Sequence, residues 1–167
     1  MIEKKAVFFD RDGVLNKDKG YTHRIEDLVW IKGAKKSIKF LKDKGFMVIV
    51  VSNQSGVSRG YFFEKDVKKF HNFMNLQLKK ATGATIDDFF YATDHPSSIN
   101  SRRKPNPTML VEAIDKYKIN KKKCFLLGDK KSDTLAAKKA GIPGFLFKGG
   151  NLFDKILKIL KELELNS

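Results

Sequence analysis

A chain of 167 residues with a single cysteine, Cys124, has room for one domain (1–167) with its own core, and no intrachain disulfide can staple it. A formal charge of +15, from 34 Lys and Arg against 19 Asp and Glu, draws attention to anionic partners. The lysines are scattered along every predicted helix with no arginine stripe interleaved with aromatics, so nucleic acid is a disfavoured partner that stays open. No apolar run approaches the ~18 to 20 residues that cross a bilayer, and Met1 to Lys5 lacks a signal-peptide pattern, so a soluble, cytoplasmic monomer is expected.

The first predicted strand, residues 4–10, ends in chemistry. Ala6-Val7-Phe8-Phe9 runs straight into Asp10, Asp12 follows two residues on, and Gly13 lets the chain turn. On an extended chain residues two apart point the same way, so both carboxylates face the space beyond the strand, where they repel unless a cation joins them or one holds a proton. Taken alone, the four residues from Asp10 to Gly13 also read as a solvated turn.

A polar loop over 13–31 carries Asn16, Gly20, Tyr21 and His23, and Ala34, Ile38 and Leu41 predict a helix over 33–44 that Gly45 stops. The run Phe46-Met47-Val48-Ile49-Val50-Val51 predicts a strand covered on both faces, ending in Ser52-Asn53-Gln54-Ser55-Gly56. A helix over 64–81 follows, its Met and Phe stripe reading as core packing, then a strand over 87–93 and a polar loop over 94–103. Lys104-Pro105-Asn106-Pro107 predicts the start of a helix running to Tyr117. A strand over 124–127 leads into Gly128-Asp129-Lys130-Lys131-Ser132-Asp133, and a helix over 134–140, a short strand over 144–147 and an amphipathic helix over 152–163 complete the chain. Strands that alternate with helices predict an α/β fold, a Rossmann-like parallel sheet flanked by helices, with a site at its carboxyl edge. Cys124 reads as an inert buried thiol, and His23 and His71, with no partner nearby in sequence, receive no chemical role.

Four separated segments thus deliver polar groups to one sheet edge: Asp10 with Asp12, Ser52 with Asn53, Lys104, and Asp129 with Asp133. Carboxylates clustered beside a lysine suit a hard divalent cation and a phosphate. In order and spacing these segments resemble the four motifs of the haloacid dehalogenase superfamily. Asp10-Arg11-Asp12-Gly13-Val14-Leu15-Asn16, Gly20-Tyr21, Ser52 to Gly56 with Arg59-Gly60, His95-Pro96, Arg103-Lys104-Pro105 and Gly128-Asp129-Lys130 resemble its heptose-bisphosphate phosphatase and histidinol-phosphatase branch.

The resemblance implies a phosphatase that uses Mg²⁺, and it implies roles. Asp10 is the nucleophile that forms an aspartyl-phosphate, and Asp12 protonates the leaving alkoxide and later deprotonates water. Ser52 and Lys104 hold the phosphoryl oxygens, and Asp10, the Asp12 carbonyl and Asp129 bind the metal, with Asp133 in support, either orienting Lys104 or touching metal. Asp18, Lys19, Gly20, Tyr21, Asn53, Gln54, Ser55, Arg103 and Lys130 contact the rest of the substrate, Arg103 and Lys130 offering charge to a second phosphate. Many members of the branch carry a structural zinc, but the ligand positions fall here on Ala92, Asp94, Asn100 and Arg102, so no zinc is expected. The insertions are too small for a cap domain. The expected substrate is a small phosphorylated sugar, a heptose 1,7-bisphosphate before others. Histidinol phosphate, a nucleic-acid 3′-phosphate, or a catalytically silent binding scaffold are the alternatives.

Overall fold

The computed structural model describes residues 2–165. Five strands, β1 (Lys4–Phe9), β2 (Phe46–Asn53), β3 (Asp88–Ala92), β4 (Ile119–Gly128) and β5 (Gly144–Leu146), pair in parallel in the order β3-β2-β1-β4-β5. Helices α1 (Ala34–Asp43), α2 (Glu64–Thr82), α3 (Thr108–Tyr117) and α4 (Lys131–Ala140) make the crossovers, and with α5 (Leu152–Glu162) they cover both faces.

The apolar runs of the three central strands are explained by this double cover. Along β1, Val7 and Phe9 join Val48, Val50, Phe125 and Leu127 in a core with α1, α2 and α5, while Ala6 and Phe8 join Ile49, Val51 and Leu126 in a second core with α3 and α4. Period-two alternation divides each apolar run between two cores, so no position of the run is left polar. The amphipathic face of α5 packs on this sheet, with Leu152, Ile156, Ile159 and Leu160 all buried in the first core. Cys124 lies in the second, and burial pushes its thiol up to about 12, which keeps it protonated.

Three elements differ from the expectation, the first two in a way that bears on the site. α3 begins at Thr108 rather than Lys104, because the main chain of Lys104 is pinned to the end of β2. Its N–H donates to Asn53 Oδ1 at 2.9 Å and its carbonyl accepts from Asn53 Nδ2 at 3.0 Å. α4 begins at Lys131 rather than residue 134, because Asp133 Oδ2 accepts the Lys130 N–H at 3.0 Å and caps the first turn. β4 starts five residues early, its exposed Lys121, Lys122 and Lys123 extending the strand beyond its apolar part.

Strand order reverses at β1, with β2 and β3 on one side and β4 and β5 on the other. The crevice beyond the carboxyl ends of β1, β2 and β4 is where an open parallel sheet leaves room for a ligand.

Candidate active site

Asp10 follows the last residue of β1, its N–H held by Leu127 O at 3.0 Å, and its side chain is buried. Lys104 reaches it from the turn before α3, with Nζ 2.8 Å from Asp10 Oδ1, 2.5 Å from Asp133 Oδ1 and 2.7 Å from the Val51 carbonyl. The three donors of the ammonium are therefore all met. Burial holds the Asp10 carboxyl well above the usual carboxylate range; the Lys104 charge opposes this, and the neighbouring Asp133 and Asp129 add to it.

Asp10, Asp129 and Asp133 each offer an oxygen within 4.8 Å of the others. Asp129 Oδ1 is buried without a hydrogen-bond partner. An orphaned anionic oxygen beside two further carboxylates fits a hard divalent cation, which takes oxygen ligands and relieves their repulsion. Asp133 divides its oxygens between Lys104 and the Lys130 N–H, so it orients the lysine and caps α4 at once.

Two glycines make the cluster possible. A Cβ on Gly13, whose φ is +86°, would lie 2.1 Å from Asp129 Oδ2, and one on Gly128 would lie 2.2 Å from Asp133 Cβ. Gly13→Ala combines a left-handed backbone with the displacement of the half-buried Asp129 carboxylate, and it is expected to lower the unfolding free energy by about 1–3 kcal/mol, read from urea unfolding. An unchanged midpoint would mean that Asp129 moves freely.

The Asp12 carboxylate turns away from that cluster. It accepts from Arg11 (Nε 3.1 Å, Nη2 3.0 and 3.2 Å), Asn16 Nδ2 at 2.9 Å and Gln54 Nε2 at 3.3 Å. Arg11 is fully buried, donating also to the Thr22 carbonyl at 2.5 Å and to His71 Nε2 at 3.1 Å. Ser52, at the end of β2, is buried with its hydroxyl accepting from Gln54 Nε2 at 2.7 Å, which leaves its proton to donate.

A cavity of about 330 Å³ opens above Asp10. Of the residues expected to contact substrate, Asp18, Gly20, Tyr21, Asn53, Gln54, Ser55, Arg103 and Lys130 line it together with Asp10, Asp12 and Lys104. Lys19 is not among the lining residues, and its amine lies 4.0 Å from Asp27. Ser52 and Asp129 are not among the lining residues either.

Arg59, Pro96, Ser132 and Asp133 also line the cavity. Arg59 was legible only as part of the Arg59-Gly60 match. Its Nε lies 3.4 Å from Ser55 Oγ and its guanidinium over the Tyr21 ring at 5.8 Å. Burial, with the Arg59 charge nearby, holds Arg103 below the usual arginine range. Two guanidinium groups that repel each other, with Lys130 in the same lining, make a seat for an anion.

The loop 94–103 is closed by hydrogen bonds. Asp94 Oδ2 accepts from Ser101 Oγ and from the Arg102 N–H, both at 2.9 Å, and Arg102 pairs with Glu112 at 2.5 Å. Ser101 Oγ accepts the Arg103 N–H at 3.1 Å, which ties the end of the loop to the residue that reaches the cavity.

A family model described as HAD-hydrolase-like matches residues 101–158. A Haemophilus ducreyi protein named D-glycero-beta-D-manno-heptose-1,7-bisphosphate 7-phosphatase is 39% identical over 145 residues, covering 83% of this chain and 80% of that one. A Photorhabdus laumondii protein named for the alpha anomer of the same compound is 38% identical over 155 residues, 88% and 84% of the two chains. Among solved structures, the D,D-heptose 1,7-bisphosphate phosphatase of B. bronchiseptica complexed with magnesium and phosphate superposes with a TM-score of 0.82 at 27% identity over 92% of this chain and 86% of that one.

Proposed function

The chain belongs to the haloacid dehalogenase superfamily, in its heptose-bisphosphate phosphatase branch, and from that premise we propose that it removes the 7-phosphate of D-glycero-D-manno-heptose 1,7-bisphosphate. It is a phosphoric monoester hydrolase; the substrate, the Mg²⁺ and the residue roles are the proposal. The observation that carries it is the buried Asp10 carboxylate at the cavity floor, flanked by Lys104 and by the orphaned oxygen of Asp129.

In this reading Asp10 attacks phosphorus as the bond to the sugar oxygen breaks, and the electron pair leaves on that oxygen. Asp12 gives the oxygen a proton, then takes one from the water that attacks the aspartyl-phosphate, returning Asp10 as a carboxylate. The Ser52 hydroxyl proton and Lys104 hold the phosphoryl oxygens, for which Lys104 must share one of its three present bonds. Asp10, Asp129 and the Asp12 carbonyl would hold Mg²⁺, which supplies the positive charge that lets one anion approach another.

Arg59, Arg103 and Lys130 would take the second phosphate. This favours a bisphosphate over histidinol phosphate, whose free end is a cation. Phosphate release should be measured with Mg²⁺ and with EDTA on both anomers of the heptose bisphosphate, histidinol phosphate, a 3′-phosphorylated oligonucleotide and simple sugar phosphates. The expected result is a Mg²⁺-dependent preference for a heptose bisphosphate of about 100-fold or more in kcat/KM, about 2.7 kcal/mol of discrimination. Preference for another member would keep the chemistry and overturn the substrate.

The same panel tests the rim. Arg59→Gln is expected to raise KM for the bisphosphate by about tenfold, the scale of one charge-assisted hydrogen bond, with a smaller effect on the 7-monophosphate. Equal effects on the two substrates would remove Arg59 from the second-phosphate seat.

A further inference from the structure

We propose that His71 is a positioning residue for the reaction, holding the buried guanidinium of Arg11 so that Arg11 fixes the Asp12 carboxylate. The inference rests on the role of Asp12 as proton donor given above.

His71 is in α2, 60 positions along the chain from Arg11, and is almost fully buried. Arginine has donors and no acceptor, so the 3.1 Å contact between Arg11 Nη1 and His71 Nε2 makes that nitrogen the acceptor and places the ring proton on Nδ1. A protonated ring could not accept it. Burial, and then the Arg11 charge, push the His71 pKa down to about 2, so the ring stays neutral at working pH. The ring is clamped by Phe89, stacked at 4.2 Å, and by the edge of Tyr91 at 5.6 Å.

Each edge of the guanidinium has one task. Nε and Nη2 face Asp12, Nη2 also takes the Thr22 carbonyl at the base of the loop carrying Gly20 and Tyr21, Nη1 takes His71, and the plane lies over Phe70 at 4.4 Å. With His71 lost, Nη1 would be a buried donor facing aromatic rings, and the guanidinium would have to turn toward another acceptor. Turning it moves the fork away from Asp12, so the effect of His71 should appear wherever the reaction needs Asp12 in place.

Proton donation matters for an alkoxide leaving group and little for para-nitrophenolate, which leaves without a proton. The test is therefore kcat/KM for a sugar phosphate and for para-nitrophenyl phosphate, in wild type, His71→Leu and His71→Gln. His71→Leu is expected to lose about tenfold or more on the sugar phosphate and less than about threefold on the aryl phosphate, a part of the 10²–10⁴-fold that general acid catalysis supplies. His71→Gln, whose amide oxygen can accept from Arg11, is expected to recover most of the loss. Should His71→Leu fail to fold in a urea titration, Arg11→Lys, which keeps the charge but not the fork, must show the same selective loss.

Equal losses on both substrates, no loss on either, or a glutamine no better than leucine would overturn the inference while leaving the phosphatase reading standing. A wild-type protein that hydrolyses neither ester would overturn that reading and this inference with it.

Discussion

Asp10→Asn is expected to lower kcat/KM for phosphate release by at least about 10⁴-fold, because an amide cannot attack phosphorus. Two of the neighbouring carboxylates are engaged elsewhere. Asp133 is committed to Lys104 and to the α4 cap, and Asp12 faces Arg11 and Asn16. The fold should not suffer in return. Burial already disfavours the charged form of Asp10, and a neutral isostere removes one of three crowded carboxylates while Lys104 keeps Asp133. Thermal unfolding of Asp10→Asn without added metal should therefore show a midpoint no lower than wild type. A variant that is inactive and also much less stable would mean that Asp10 is structural, and residual turnover within about tenfold of wild type would remove it as nucleophile.

Lys104→Met should have the opposite signature, losing stability as well as activity. The ammonium is buried against Asp10, Asp133 and the Val51 carbonyl, and a thioether of similar reach leaves two carboxylates and a carbonyl without it. Breaking a buried ion pair from one side typically costs about 3–5 kcal/mol, since the remaining charge stays desolvated. Urea unfolding should show that loss, and a change under about 1 kcal/mol would mean that water reaches the carboxylates. Comparing the two variants separates chemistry from architecture at a single contact of 2.8 Å.

Asp10, Asp12 and Asp129 could be found from the sequence because each closely follows an apolar run long enough to be a buried strand, and parallel strands bring such ends to one edge. Lys104 and Ser52 were legible as members of a spaced set. For Asp133 the sequence left two places open, beside the metal or beside Lys104, and the structure puts one of its oxygens 2.5 Å from the Lys104 amine. The starts of α3 and α4 were misplaced for one reason. Proline and small residues set local preference, while the actual boundaries are set by Asn53 gripping the Lys104 backbone across 51 positions and by the Asp133 carboxylate on the Lys130 N–H. Lys19 sits in the expected loop, yet its side chain goes to Asp27.

The sequence by itself determined the order of strands and helices, the double cover of the central sheet and the carboxylates at its edge. Apolar periodicity and chain order carry that information, and both are local. Only the tertiary structure decided how charge is distributed within the site: that Asp12 belongs to Arg11 and Asn16, that Lys104 bridges two aspartates, that Arg59 joins Arg103 at the rim, and that His71 stands behind Arg11. These depend on distances of a few ångströms between residues tens of positions apart. Electrostatics and hydrogen bonding act over those distances, and no spacing along the chain encodes them.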